Sequence, residues 1–323
     1  MITRRRFLEM AAASAGSLTT PDLYAQTYPT QPIRIIVGFA AGGNFDMVAR
    51  TLGHWLSERL RQPVLVENRP GAGSNIATEA VVNAAPNGYT LLLGGAVNAI
   101  NATLYEKLPF IFTRDLAPVA GVVRFPNVLT VSPSFPAHDV VEFIAYAKAH
   151  PGELSQGSSG NGTTQHLAGD LFKTMTDTDF VHVPYRGASQ AITDLLAGHV
   201  QVLFEPLPAS LPFIKAGKLR VLAVTSAARS EILPEVPAIA EHVPGYEASG
   251  WTGIFAPVKT PAAVIGELNA AINAGLASEG IVGQFAELGA ATMPGSPDEF
   301  ARLVAVETEK WSQVVRRGNI KPA

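Results

Sequence analysis

The stretch that most constrains this chain is residues 32–50, PIRIIVGFAAGGNFDMVAR. It reads as strand, tight glycine turn and helix. Ile33, Ile35, Ile36, Val37 and Phe39 form the short apolar run that a parallel strand buried on both faces requires. Gly42 and Gly43 free the backbone at the strand's end. Asn44 stands where it can cap the following helix, with Asp46 in the first turn, where the helix dipole favours an acid. Val48, Leu52, Trp55 and Leu56 then recur on one helical face. Such a turn leaves unpaired backbone N–H groups at a helix N-terminus, pointing away from the sheet, and an anion can settle there. A single turn of this kind is also an ordinary αβ connection, so the rest of the chain decides.

The pattern repeats at once. Residues 63–67 read as a second strand, NRPGAGSN at 68–75 as a second glycine turn, and Ile76, Ala77, Ala80, Val81 and Ala84 as a helical face. Pro86, Asn87 and Gly88 stop that helix, and residues 89–93 form a third strand ending in Gly94 and Gly95. Handedness folds βαβαβ into a parallel sheet covered by helices, with ligand-binding loops at the strands' C-terminal ends. Residues 119–123 and 128–131 are strand-like with Pro126 between them, and a second αβ series follows. It has a helix at 140–149, a long glycine loop at 156–164, a helix at 165–175 and a strand at 180–183. A turn at 184–187, a helix at 189–197 and strands at 200–204 and 219–225 complete it. The chain is extended again at 249–256 and mostly helical beyond, at 261–276, 281–288 and 298–317. This predicts two α/β lobes, residues 26–124 plus 251–323 and residues 125–250. Two crossing segments would form a hinge beside a cleft, a preferred small-molecule site.

Composition narrows the function. A chain of 323 residues, 47% apolar and 16% charged, is long and apolar enough for two packed cores. Its net charge of −3 offers no electrostatic case for nucleic acid or anionic lipid. With no cysteine, disulfides, thiolate metal sites and cysteine nucleophiles are excluded. Residues 1–25 read as an export signal. Thr3, Arg4, Arg5, Arg6, Phe7 and Leu8 form a twin-arginine signature, followed by an apolar run at 10–18 and a small-residue exit near Ala25. The run is too short to anchor in a membrane. A periplasmic protein is expected, exported by the twin-arginine or the general route.

Three glycine turns fall at predicted strand ends, at 41–44, 71–75 and 157–164, and together suggest a ligand surrounded by backbone amides. A dinucleotide reading of Gly71-x-Gly73 fails, because Ile76 holds the third glycine's place and no acid follows about 20 positions on. The histidines, among them His54 and His166, show no His-x-x-x-His spacing, so neither a metal nor a cofactor is expected. A structural role is expected of His166, one turn beyond the glycine loop. Ser158 and Ser159 lack the Gly-x-Ser-x-Gly elbow, since Gln156 and Asn161 occupy the glycine positions. No partner histidine or acid can be assigned to them, and the chain is not expected to be an enzyme. Asp46 and Glu205 lie at strand mouths, where each could accept a bond from a ligand; Asp46 serves equally as a first-turn acid. Arg186 could pair with a ligand carboxylate or stand solvated.

Taken in order, PIRIIVGFAAGGNFDMVAR, VENRPGAGSNIATEAV, APNGYTLLLGG, SSGNGTTQHLAG, HVPYRG, DLLAGHVQVLFE, LRVLAVTSAARS and GWTGIFAP resemble the tripartite tricarboxylate transporter substrate receptors, also called Bug proteins. The resemblance spans the chain beyond the signal. It implies an α/β, two-lobed periplasmic-binding-protein fold, a Venus flytrap of type II-like topology with two crossing hinge strands. It also implies a monomer that captures a small organic carboxylate and delivers it to a two-component membrane permease. Carried onto this sequence, Phe39, Ala41, Gly42, Gly43, Asn44 and Asp46 of the first turn line the cleft. So do Ser158, Gly160, Asn161, Gly162, Thr163 and Thr164 of the later loop. Gly73, Asn75, His166, Tyr185, Arg186 and Glu205 complete the candidate site. The chain departs from the family pattern at Ala41 (commonly Pro), Ser74 and Ala77 (commonly Gly), Glu205 (commonly Asp) and Ser189, and these positions bear on which carboxylate is bound. A receptor that signals to a membrane sensor is the alternative output.

Overall fold

The computed structural model describes residues 28–185, 187–287 and 289–322; the predicted export signal and Arg186 lie outside them. The first series runs β1 (Ile33–Val37), α1 (Asn44–Leu60), β2 (Val64–Asn68), α2 (Asn75–Val82), β3 (Thr90–Gly95), α3 (Ala96–Leu104) and β4 (Leu116–Phe125), in the expected βαβαβ order as far as β3. The second series is β5 (Asn127–Val131), α4 (Val140–Ala149), β6 (Ser155–Ser158), α5 (Thr164–Thr176), β7 (Val181–Pro184), α6 (Ala188–Ala197), β8 (Val202–Pro206), α7 (Leu207–Lys215) and β9 (Arg220–Val224). The chain then returns through β10 (Gly250–Pro257), α8 (Ala262–Leu276), α9 (Glu279–Glu287), β11 (Ala291–Thr292) and α10 (Pro297–Arg317).

Two sheets result, ordered β11-β4-β10-β3-β1-β2 and β7-β6-β8-β5-β9. The alternation of side chains along β1 explains its all-apolar sequence. Ile33, Ile35 and Val37 pack with Val48, Leu52 and Leu56 of α1 and with Leu268 and Ile272 of α8. Ile36 faces the opposite way, among Ala77 and Val81 of α2 and Ala99 and Ile100 of α3. Both faces are covered, as a parallel strand between helices requires. β1 pairs parallel to β2 and β3, as expected, whereas β10 inserts antiparallel between β3 and β4 and makes the first sheet mixed.

The chain crosses between the sheets at Pro126 and returns at Ser249. The two crossings are tied together. Asn127 Nδ2 donates to the Ala248 carbonyl at 3.1 Å, as does Thr225 Oγ1 at 3.1 Å, and Asn127 N donates to Thr225 Oγ1 at 2.9 Å. Several elements differ from the sequence expectation, among them the short helix Phe112–Asp115 and β11. Residues 155–158 form a strand and not the start of a loop, and helices cover Ala96–Leu104 and Leu207–Lys215. The cap of α1 is Gly43 in extended conformation, so Asn44 is the first helical residue and makes no capping bond.

Candidate functional site

In each sheet one strand sits between two parallel neighbours: β1 between β2 and β3, and β6 between β7 and β8. The chain winds off to opposite sides of such a strand, and a crevice opens beyond its C-terminal end. The loops 38–43 and 159–163 leave these two positions, and each runs into a helix N-terminus.

In the first loop, residues 40–43 are exposed and Gly42 takes φ 81°. Asp46, only 3% exposed, turns back onto this loop. Its Oδ2 accepts from Gly42 N at 2.8 Å and from Arg50 Nε at 2.9 Å. Arg50 also reaches Asn68 Oδ1 at 3.2 Å, and Asn68 Nδ2 donates to the Phe39 carbonyl at 3.0 Å. The hydrogen bond from Arg50 holds the Asp46 carboxyl below its ordinary range. Asp46 thus braces the loop, while its Oδ1 has no partner among the described residues. The Phe39 and Phe45 rings, 4.6 Å apart, wall the loop's base.

The second turn is backbone-strained. Gly71, Ala72, Gly73 and Ser74 take φ of 132°, 45°, 61° and 78°. For an alanine and a serine this costs about 1–2 kcal/mol each. The surroundings impose it. A Cβ on Gly38 would lie 2.0 Å from Ser74 Oγ, so β1 and this turn touch only because residue 38 is glycine. Asn101 Nδ2, on α3, donates to the Gly73 carbonyl at 2.7 Å and to Asn75 Oδ1 at 3.1 Å. One turn earlier Asn98 Nδ2 donates to Thr78 Oγ1 at 2.8 Å, which donates to the Ser74 carbonyl at 2.9 Å. Ser74 Oγ and Asn75 Nδ2 are buried without a partner among the described residues.

In the later loop Thr163 caps α5: its Oγ1 accepts from His166 N at 3.3 Å and donates to the Gly160 carbonyl at 2.7 Å. Gly162 N donates to His166 Nδ1 at 3.2 Å, which leaves the ring proton on Nε2, 3.0 Å from Asp170 Oδ2. His166 stacks on His182 with centroids 3.6 Å apart and planes within 7°. His182 Nε2 lies 2.6 Å from Ser158 Oγ, which accepts from Gly160 N at 3.1 Å. Burial, with His166 and Lys173 nearby, pushes the His182 imidazole down to about 3, so it is a neutral ring. Ser158 therefore has a histidine partner that sequence could not assign. The arrangement is a brace and not a nucleophile: Ser158 is fully buried, and the acid, Asp170, pairs with the other imidazole.

Around this loop, Tyr185 OH donates to Asp194 Oδ2 at 2.6 Å, and its carbonyl would lie 3.3 Å from a Cβ on Gly160. Glu205 at the end of β8 is wholly buried, with Ser159 Oγ 3.2 and 3.4 Å from its two oxygens. Burial pushes its carboxyl up to about 8.

The loops converge through α3. A Cβ on Gly162 would lie 2.2 Å from Leu104 Cδ2, so the later loop rests on the end of the helix whose Asn101 holds the second turn. Of the sequence-picked residues, Gly42, Gly43, Asn44, Asn161, Thr163 and Thr164 present accessible loop or helix-terminus backbone, whereas Asp46, Ser158 and His166 support it from behind. Asn98, Asn101, Leu104 and His182 went unread; the Asn-x-x-Asn pair in the mostly apolar AVNAINATL was the available signal.

Two α/β sheets joined by two crossing segments, each sheet sending a glycine loop from the strand where its winding reverses, define a two-lobed periplasmic-binding-protein fold. Residues 48–320 match the model of the tripartite tricarboxylate transporter family receptor, and the chain belongs to that family. It is 39% identical to Protein BugT of Bordetella pertussis over 300 residues, 92% of each chain. A structure of R. palustris Rpa4515 with adipate is 38% identical, covers 92% of this chain and all of its own, and superposes with a TM-score of 0.83. MatC from Rhodopseudomonas palustris with bound malate is 31% identical with a TM-score of 0.78, over 89% of this chain and all of that one.

Proposed function

We propose that this protein captures a small organic carboxylate between its lobes and delivers it to a two-component membrane permease. The lobes divide near Pro126 and Ser249, and the tied crossing segments serve as the hinge. The observation that carries the reading is the pair of switch-point loops, 38–43 and 159–163, each opening a helix N-terminus. Such a terminus favours an anion by about 0.3–1 kcal/mol when exposed and up to about 2 when partly buried. Hydrogen bonds to a charged acceptor add about 1.5–3 kcal/mol each. Two termini and three such bonds sum to roughly 5–13 kcal/mol, a range that takes in micromolar binding, about −8.2 kcal/mol, without a salt bridge. Adipate and malate in the relatives' structures support a carboxylate as the ligand class. The site residues are Phe39, Ala41–Asn44 and the 159–164 loop, with Gly73, Asn75 and Tyr185 beside them; Arg186, outside the described residues, is kept from the sequence as a candidate partner of the carboxylate.

Mass spectrometry of small molecules released from freshly purified protein identifies the ligand; a carboxylic acid is expected, and a stoichiometric cation or nucleotide would refute the reading. The cognate ligand also compacts the protein in small-angle scattering as the lobes close, and raises its melting temperature with concentration, because it binds only the native state. Fractionation is expected to find a shortened chain in the periplasm. Replacing Arg4, Arg5 and Arg6 by lysine blocks export if the twin-arginine route is used.

A further inference from the structure

Glu205 is the fourth residue of β8, a strand flanked by β5 and β6 deep in the second sheet. Its carboxyl has no exposed surface, and the hydrogen bond recorded for it is to Ser159 Oγ. The titratable and charged groups on the elements packed against β8 are His166, Asp170 and Lys173 of α5, Asp194 of α6 and Lys215 of α7. His166, Asp170 and Lys173 pair among themselves, and Asp194 pairs with Tyr185 and His199. No charged side chain among the described residues acts on Glu205; burial alone drives its carboxyl up to about 8, against the Ser159 hydroxyl. A carboxyl so enclosed is more stable with its proton.

That proton decides which way Ser159 points. Ser159 is half-buried and starts the loop that follows β6. A protonated Glu205 can donate to Ser159 Oγ, which turns the hydroxyl hydrogen outward, toward an arriving anion. An ionised Glu205 can only accept; it draws the hydroxyl hydrogen inward and leaves Ser159 to present lone pairs to the ligand.

We propose that Glu205 is a proton-carrying positioning residue which, through Ser159, makes the later loop a hydrogen-bond donor, so that carboxylate binding is linked to retention or uptake of one proton. The proposal rests on the reading that this loop holds the ligand's carboxylate. The balance is simple: protein, anion and one proton from solvent give the complex, with the proton on Glu205.

The test has two arms. In the first, no ligand is used, and denaturant unfolding of wild type and Glu205→Gln is compared from pH 5 to 9. The folded-state value is raised, so the native state holds a proton that the unfolded chain has released, and wild type loses stability relative to the variant as pH rises from about 5 to about 8. A difference that does not change with pH overturns the proposal. In the second arm, adipate and malate are titrated calorimetrically between pH 7 and 10, where their own carboxylates stay ionised. The wild-type Kd is expected to rise above pH 8 by up to about tenfold per pH unit, the limit for one linked proton. Near pH 8 the binding heat should differ between phosphate and Tris buffers. Both signatures should vanish in Glu205→Gln, whose amide has no proton to lose, and in Ser159→Ala, which cuts the relay but keeps the first-arm signature. Parallel pH profiles in wild type and both variants overturn the linkage even if the carboxyl is protonated. If neither dicarboxylate binds at any pH while the first-arm signature is present, the carboxylate-site reading fails, and the proposal fails with it.

Discussion

Single glycines separate two uses of the same residue. Gly43 has ordinary φ of −82°, and an added Cβ would meet only the Ala40 carbonyl, at 3.5 Å. Gly43→Val therefore folds normally, but its side chain stands where an anion would approach the α1 amides. Loss of one or two charged-acceptor bonds predicts binding of the cognate ligand weaker by roughly 10-fold or more, with a stability cost of about 0.5–2 kcal/mol because valine is a poor residue at the helix N-cap. Gly162 is the opposite case. It sits at φ 72° with Leu104 against it, so Gly162→Ala is expected to cost about 1–3 kcal/mol in denaturant unfolding before any ligand is added. If the two substitutions act alike in both assays, backbone approach is not what the first loop offers. The glycine turns were legible at this scale because backbone freedom has a residue name. A structural role for His166 and a first-turn place for Asp46 were legible too, but the partners of Asp46, His166 and Glu205 were not, because each is fixed by folding. Asp46 answers to Gly42 and Arg50, and His166 to Gly162 and Asp170. Glu205 takes its character from the burial of β8.

Elements were readable where their own side chains form the core and unreadable where neighbours do. β1 and β3 carry long apolar runs and were located from them, as were most of the amphipathic helices. β6 carries Ser155, Gln156, Gly157 and Ser158, with no apolar residue to announce it. It is a strand because β7 and β8 pair with it, and because Gly157 lets Leu203 approach. The second-lobe loop therefore begins two residues later than its glycines suggest. The helix α3 hid behind Gly94 and Gly95, which read as a turn. Its importance lies in Asn101, whose amide holds the strained turn at 71–74. Asn101→Ala leaves the Gly73 carbonyl and Asn75 Oδ1 without their donor and is expected to cost about 1–3 kcal/mol. The amides of residues 72–75 should exchange faster with solvent. Unchanged exchange there would mean that the turn keeps its left-handed residues without α3.

At the scale of the molecule, the pairing of β10 between β3 and β4 makes the second series of elements an insertion within the first. The sequence reading puts the lobe junctions near Arg124 and Trp251, in extended segments flanking an αβ series. The antiparallel entry of β10 was not legible, since GWTGIFAP alone does not say which strands it joins. In the inserted segment Phe143 packs on Phe172 and Phe180, and Phe172 on Phe204 and Tyr246, within a cluster that extends to Phe255, Phe300 and Trp311 of the first series. Residues 126–249 expressed alone are therefore expected to unfold cooperatively in denaturant, whereas residues 28–125, which lack β10, are not. A cooperative 28–125 fragment would show that β10 is dispensable.

The buried place of β10 also sets an order of assembly during translation. On the ribosome β3 and β4 emerge more than a hundred residues before the strand that separates them. Until residue 257 has cleared the exit tunnel, the apolar edge LLLGG of β3 has no partner on that side, while the later-made insertion can already condense. The nascent chain thus exposes an aggregation-prone edge for as long as it takes to synthesise an entire second lobe. Slowing elongation between codons 126 and 249 is therefore expected to raise the insoluble fraction of newly made chain.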